Sequence, residues 1–212
     1  MKEYNKDKIF DIMDITQCNY SNLIKRLIRK KKISEFVLVF YSISLIVYPL
    51  TSEFFPEYFD SGMSNYFGII LSVVTLAYSL INGNAKYAER IEGAENVMNS
   101  VKTLKRNLTE ENLSEQKEKY DKIISQAEYR SDVDFFRTLK QRCKENDVRW
   151  YRYKIDINKS YSKEKADIYG KLNNYLSENF PFIQQCKITF EYIWCLLIFA
   201  IPIVLFAICF AY

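Results

Sequence analysis

The stretch KRLIRKKKISEFVLVFY (residues 25–41) places six cations in eight positions and then turns apolar. Such a run fits a basic nucleic-acid arm or the inner flank of a membrane span, and the residues that follow decide between them. After Glu35, the segment FVLVFYSISLIVYPLTS (36–52) carries no charge until Glu53. Residues 33–51, with Glu35 able to reach the interface, form a helix of about 28 Å at about 1.5 Å per residue. The hydrocarbon layer of a bilayer is about 30 Å thick. A nucleic-acid arm explains the cations but not the apolar run behind them.

Two more stretches have spanning length. NYFGIILSVVTLAYSLIN (65–82) is uncharged, and YIWCLLIFAIPIVLFAICFAY (192–212) is longer and more apolar. A run of the second kind suits a span; the first, read alone, also fits a buried core helix. Cations are distributed asymmetrically around them. Lys25, Arg26, Arg29, Lys30, Lys31 and Lys32 precede the first run, and Lys86 and Arg90 follow the second. The intervening loop, SEFFPEYFDSGMS (52–64), has Glu53, Glu57 and Asp60 but no Lys or Arg. The positive-inside rule then predicts a cytoplasmic N-terminus, an outer acidic loop and an inner central region. Tyr48, Tyr66, Tyr192, Trp194 and Tyr212 fall near the expected interfaces, where amphipathic rings are favoured.

The expected fold is an all-α integral membrane protein. Residues 1–32 form a cytoplasmic, basic, amphipathic segment. Transmembrane helices at 33–51 and 65–82 make an N-terminal hairpin. Residues 83–190 make a cytoplasmic domain built on an antiparallel, coiled-coil-like helical hairpin, and 192–212 make a third transmembrane helix. Five Gly and four Pro in 212 residues agree with long helices and few tight turns. The first apolar run begins far from the N-terminus and lacks a small-residue cleavage site, so no secretory signal is expected.

The central region shows helical periodicity. Tyr87, Ile91, Ala94, Met98, Val101 and Leu108 recur every three or four residues. Leu113, Tyr120, Ile123, Ile124 and Ala127 give a second stripe, and Val133, Phe136, Leu139 and Cys143 a third. Thr109 reads as the N-cap between the first two, and further helices are expected over 160–178. With 21 Lys/Arg against 18 Asp/Glu between residues 83 and 191, the region is too balanced for a dedicated nucleic-acid surface.

The chain has no histidine, which removes the commonest general base, the usual metal ligand and the neutral-pH switch together. No GxxxxGK[ST], GxGxxG or GxSxG occurs. The five cysteines are odd in number, scattered and without CxxC spacing, which fits a reducing compartment and apolar packing. No catalytic, metal-binding or cofactor-binding residue is expected. Asp132 and Asp134 read as ion-pair partners rather than as a metal site.

Three groups stand out as candidate sites. In the second run, Gly68, Ser72, Thr75, Ser79 and Asn82 follow at spacings of four, three, four and three, and so share one stripe of the helix. Such a stripe serves close helix packing, or lines a wet path in an oligomer. The cations Lys25, Arg26, Arg29, Lys30, Lys31 and Lys32 are expected to contact an anionic inner leaflet. Just before and among them, Tyr20, Leu23, Ile24, Leu27 and Ile28 share one helical face, which fits either an interfacial helix or packing on the soluble domain. In RWYRYK, Arg149, Trp150, Arg152 and Tyr153 offer a stacking surface for a nucleotide, or an amphipathic elbow.

The order of parts resembles the SLATT family of small bacterial membrane proteins. Two stretches carry the resemblance, NGNAKYAERIEGAENVMNSVKTLKRNL (82–108) and YDKIISQAEYRSDVDFFRTLKQ (120–141). The second has a Tyr-led helix, a polar turn and then an Asp-aromatic pair, Asp134 and Phe135. It carries Tyr129 and Arg130 where the family pattern has Asn-His. The resemblance implies a non-enzymatic effector of an anti-phage conflict system in the bacterial inner membrane. Such an effector is triggered by a separate nucleotidyltransferase or reverse transcriptase, or by its nucleotide product. It then forms homo-oligomers and permeabilises the membrane in abortive infection. The third span resembles the subfamily encoded beside reverse transcriptases. The competing expectation is a non-conducting anchor that recruits a cytoplasmic partner.

Overall fold

The computed structural model describes residues 5–145 and 182–211. The Arg149, Trp150, Arg152 and Tyr153 patch and the helices expected over 160–178 lie outside the described residues. Every regular element among the described residues is an α-helix: α1 (Lys6–Phe54), α2 (Ser61–Asn84), α3 (Tyr87–Arg106), α4 (Leu113–Gln126), α5 (Asp132–Glu145) and α6 (Phe182–Ala211). Among them, α1, the run Ser61–Arg106 and α6 are long and apolar enough to cross a membrane. The chain is a helical membrane protein. The stretches 33–51 and 65–82 lie within α1 and α2, and α6 covers 192–211 of the third.

The chain divides into two compact units. One comprises Met1–Arg26 with Arg90–Ile188, the other Leu27–Glu89 with Thr189–Tyr212. In the first unit, Ile9, Met13, Val101 and Leu108 form a buried cluster, backed by Val97, Leu104, Leu113, Tyr120, Ile123 and Ile124. Ala94, Val133, Phe136 and Cys143 are also buried, so the stripes read from the sequence are the faces that pack. The start of α1 joins them: Tyr20, Leu23 and Ile24 are buried within the protein. Of the face read from the sequence, Leu27 is buried with them, while Ile28 is exposed. One local expectation fails. Thr109 does not cap α4, because Asn112 occupies the N-cap position. Its side chain accepts from the Thr109 amide at 2.8 Å and donates to the Asn107 carbonyl at 2.8 Å, which folds the loop one turn later than the sequence suggests.

In the second unit, Val37, Tyr41, Tyr48, Phe59, Leu71 and Cys209 form the centre of a three-helix bundle. Lys86, at φ 45°, ends the run between α2 and α3. Helices α1 and α6 run parallel here, since contacts advance along both together. Arg29 reaches Tyr192, Tyr41 reaches Ile198, Tyr48 reaches Pro202, and the Asp60 amide donates to the Cys209 carbonyl at 3.0 Å. The Tyr41 contact has a specific cause. Pro202 has no N–H, so the carbonyl of Ile198, four residues earlier, loses its helical donor. The Tyr41 hydroxyl donates to that carbonyl at 2.9 Å. An unsatisfied carbonyl is costly in lipid. Tyr41→Phe should therefore destabilise the bundle by about 0.6 to 1.7 kcal/mol, the range of interhelical hydrogen bonds in membranes. Unfolding in mixed micelles measures this, with Tyr58→Phe, at an exposed tyrosine, as the unchanged control.

Candidate functional site

Along the α1–α5 contact runs a polar ladder. On α1 the positions Asp14, Cys18, Asn22 and Arg26 are spaced by four, and so are Asp134, Thr138 and Arg142 on α5. Four-residue spacing follows one ridge of a helix, so two such rows can face each other throughout. They meet antiparallel. Arg26 donates from Nε to Asp134 Oδ1 and from Nη2 to Oδ2, both at 2.8 Å. Asn22 Nδ2 donates to Thr138 Oγ1 at 3.0 Å. At the far end Arg142 pairs with Asp14, which also accepts from Lys105 Nζ at 2.7 Å. Both rows begin with Asp and end with Arg, so antiparallel packing sets opposite charges together and parallel packing would set like against like.

Asp134 is the best-satisfied group in this row. It is 0% exposed, and its Arg26 partner 12%. Besides the guanidinium, Oδ2 accepts from the Ser131 amide at 3.1 Å and the Ser131 hydroxyl at 2.8 Å. In return the Asp134 amide donates to Ser131 Oγ at 3.4 Å. This is a reciprocal capping box, here with Asp in place of Glu, and it places a carboxylate at the positive end of the α5 dipole. Asp132, by contrast, is exposed, so the two carboxylates diverge.

The turn before α5 is held as well. The Tyr20 hydroxyl donates to the Glu128 carbonyl at 3.0 Å, and Arg90 forks onto the Glu128 carboxylate at 3.0 and 2.5 Å. Arg130 stacks over the Phe135 ring at 4.6 Å. Burial pushes the Cys18 thiol up, helped by Asp14 and opposed by Arg142, and burial alone raises Cys143. Neither is poised as a thiolate nucleophile.

The ladder was not singled out by sequence reasoning, although the two four-residue polar rows were available as a signal. The cations at 25–32 separate accordingly. Arg26 is turned onto Asp134. Arg29 and Lys30 lie 3.7 and 3.6 Å from Glu191, and Arg29 also sits over the Tyr192 ring at 5.5 Å. Lys31 is 3.9 Å from Glu35. Lys25 and Lys32 are exposed. These half-exposed pairs contribute little to stability.

The small-residue stripe of α2 also divides. Gly68, Thr75 and Asn82 are half-buried at the edge of the packed face, and Ser34 Oγ donates to Asn82 Oδ1 at 2.6 Å. Ser72 and Ser79 are exposed. A Cβ added at Gly68 would meet nothing within 4 Å, so this glycine serves no close approach inside the single chain.

The model of the SMODS and SLOG-associating 2TM effector domain family 5 (SLATT_5) matches residues 8–211. The chain belongs to this family. The match takes in α2 to α5, nearly all of α1, the whole of α6, and both rows of the ladder. No curated protein and no solved structure matches the chain. As a SLATT_5 member it is a membrane effector of a conflict system, from a family of effector domains rather than an enzyme family.

Proposed function

We propose that this SLATT_5 chain oligomerises in the bacterial inner membrane and permeabilises it when triggered, as in abortive infection. The trigger is a separate nucleotidyltransferase or reverse transcriptase, or its nucleotide product. The observation that carries this reading is the coverage of α2. Of the α2 residues only Ser64 and Leu71 are buried, while Ile69, Val73, Leu76 and Leu80 are all exposed. Its open side carries Ser72 and Ser79 beside an unfilled Gly68. Lipid tails gain nothing from small and hydroxylated residues, whereas a second helix does. In this reading the N-terminus is cytoplasmic, residues 83–190 stay inside, and the exposed Lys25 and Lys32 meet anionic headgroups. Arg29, Lys30 and Lys31 support them at the same level.

Induction in cells with a potential-sensitive dye tests permeabilisation, and dye-loaded vesicles repeat it with purified protein. Ser72→Leu with Ser79→Leu separates the two roles of the stripe. Both positions are exposed, so the single chain accommodates leucine. A lining stripe predicts leakage falling to that of protein-free vesicles while crosslinked oligomers persist. Loss of the oligomers together with the leak assigns the stripe to packing. Full leakage with normal oligomers removes the pore-lining role. Normal insertion without any depolarisation would favour the non-conducting anchor.

A further inference from the structure

We infer that the α1–α5 polar ladder is an autoinhibitory lock, which holds the start of α1 in the silent state and must open for the membrane to be breached. The inference rests on the permeabilising role proposed above. Three observations support it.

The first is chemical. A buried ion pair flanked by hydrogen bonds holds no advantage in stability over apolar packing of similar volume, and its attested use is to fix register. Asp134 with Arg26, Asn22 with Thr138, and Arg142 with Asp14 fix both the register and the direction of α1 on α5. The second is incomplete satisfaction beside the ladder. Asn19, next to Cys18 on α1, is 2% exposed, yet among the described residues its Oδ1 has no hydrogen-bond partner, and neither has Gln17 Oε1. Buried acceptors left unpaired favour opening of the surface that buries them. The third is continuity. The helix that carries Asp14, Asn22 and Arg26 runs without a break to Phe54. The first turns and the 33–51 stretch are therefore parts of one continuous helix, along which a change in how the first turns are held is passed on. A polar interface also opens more readily into water than an apolar one, since its groups find new partners there.

The test uses the full chain, freed of its five native cysteines, with Asn22→Cys and Thr138→Cys. The pair is bridged by a short, reducible bis-methanethiosulfonate. The protein is reconstituted into dye-loaded vesicles of phosphatidylethanolamine and phosphatidylglycerol at a protein density where the unbridged chain leaks. Bridged protein should be silent, and reduction should restore leakage to the unbridged rate. Equal leakage with and without the bridge overturns the lock. Failure of the bridge to form overturns the pairing on which the lock depends. If the unbridged chain and the native sequence never leak at any density, the permeabilising role itself fails, a result distinct from both. As a second variant, Asn22→Leu with Thr138→Val replaces the central rung by an apolar pair of similar volume. It should leak several-fold less than the native sequence with unchanged helix content, and undiminished leakage counts against the lock.

Discussion

Replacing Asp134 by asparagine is expected to destabilise the first unit by about 3 to 5 kcal/mol, the cost of leaving one member of a buried ion pair uncompensated. Whole domains are stable by only about 5 to 15 kcal/mol, so this single change removes a large share. Arg26, at 12% exposure, cannot turn into water without breaking the packing of Leu23 and Leu27 on either side of it. The amide can still accept from Ser131, so part of the cap survives. The loss is therefore mainly the charge pairing. Thermal unfolding in detergent should show a fall of about 10 °C, on the scale of about 2 to 4 °C per kcal/mol for chains of this size. The matching double change, Arg26→Met with Asp134→Leu, removes both charges and should recover most of the loss, because the burial penalty disappears with them. Exchanging the charges, Arg26→Asp with Asp134→Arg, should recover less. An arginine in the first turn of α5 opposes the helix dipole and cannot return the Ser131 hydrogen bond. If Asp134→Asn melts with the native protein, the pair carries none of the stability assigned to it.

That pair shows where the sequence was legible and where it was not. Apolar periodicity is a property of one segment, so the faces of α3, α4 and α5 could be read without knowing their partners. The uncharged runs were legible for the same reason. Arg26 was read with its neighbours as a lipid contact because a cation before a span usually is one. Its partner lies 108 residues away, on a helix whose direction was unknown. The rows Asp14, Cys18, Asn22, Arg26 and Asp134, Thr138, Arg142 have meaning only as a pair, and each alone looks like an ordinary polar edge. Thr109 and Asn112 differ by a competition that propensity leaves open. Both residue types suit the position, and α4 starts after Asn112, whose side chain ties back to the Thr109 amide and the Asn107 carbonyl rather than capping the new helix. The α2 stripe, found by spacing, proves to straddle the border between packed and open faces. Spacing fixes which residues share a side of a helix but not which side meets a neighbour.

Reversing Lys30, Lys31 and Lys32 to glutamate is expected to cost the chain its single orientation. With the six cations in place, the flank of the first span outweighs a loop that has no Lys or Arg, and Lys86 and Arg90 reinforce the same sense. The triple change halves the flank. It also puts carboxylates at positions 30 and 31, beside Glu191 and Glu35 respectively, turning weak attractions into repulsions. Lys25, Arg26 and Arg29 remain, and acidic residues count for little in orientation, so a mixture of topologies is expected rather than inversion. Adding Glu53→Lys and Glu57→Lys should complete the inversion. Both are exposed, and neither caps a helix, unlike Asp60, whose carboxylate accepts from the Met63 amide at 2.5 Å. Single cysteines at Ser61 and Thr109, in a chain otherwise free of them, report the outcome with a membrane-impermeant maleimide. In the native sequence, position 61 should label from outside and position 109 only after permeabilisation. The triple variant should label at both, and the fivefold variant at 109 alone. Outside labelling of position 109 in the native sequence would reverse the orientation. An unchanged pattern in the fivefold variant would show that the cations do not set it, and would return the cluster at 25–32 to the nucleic-acid role that its composition first allowed.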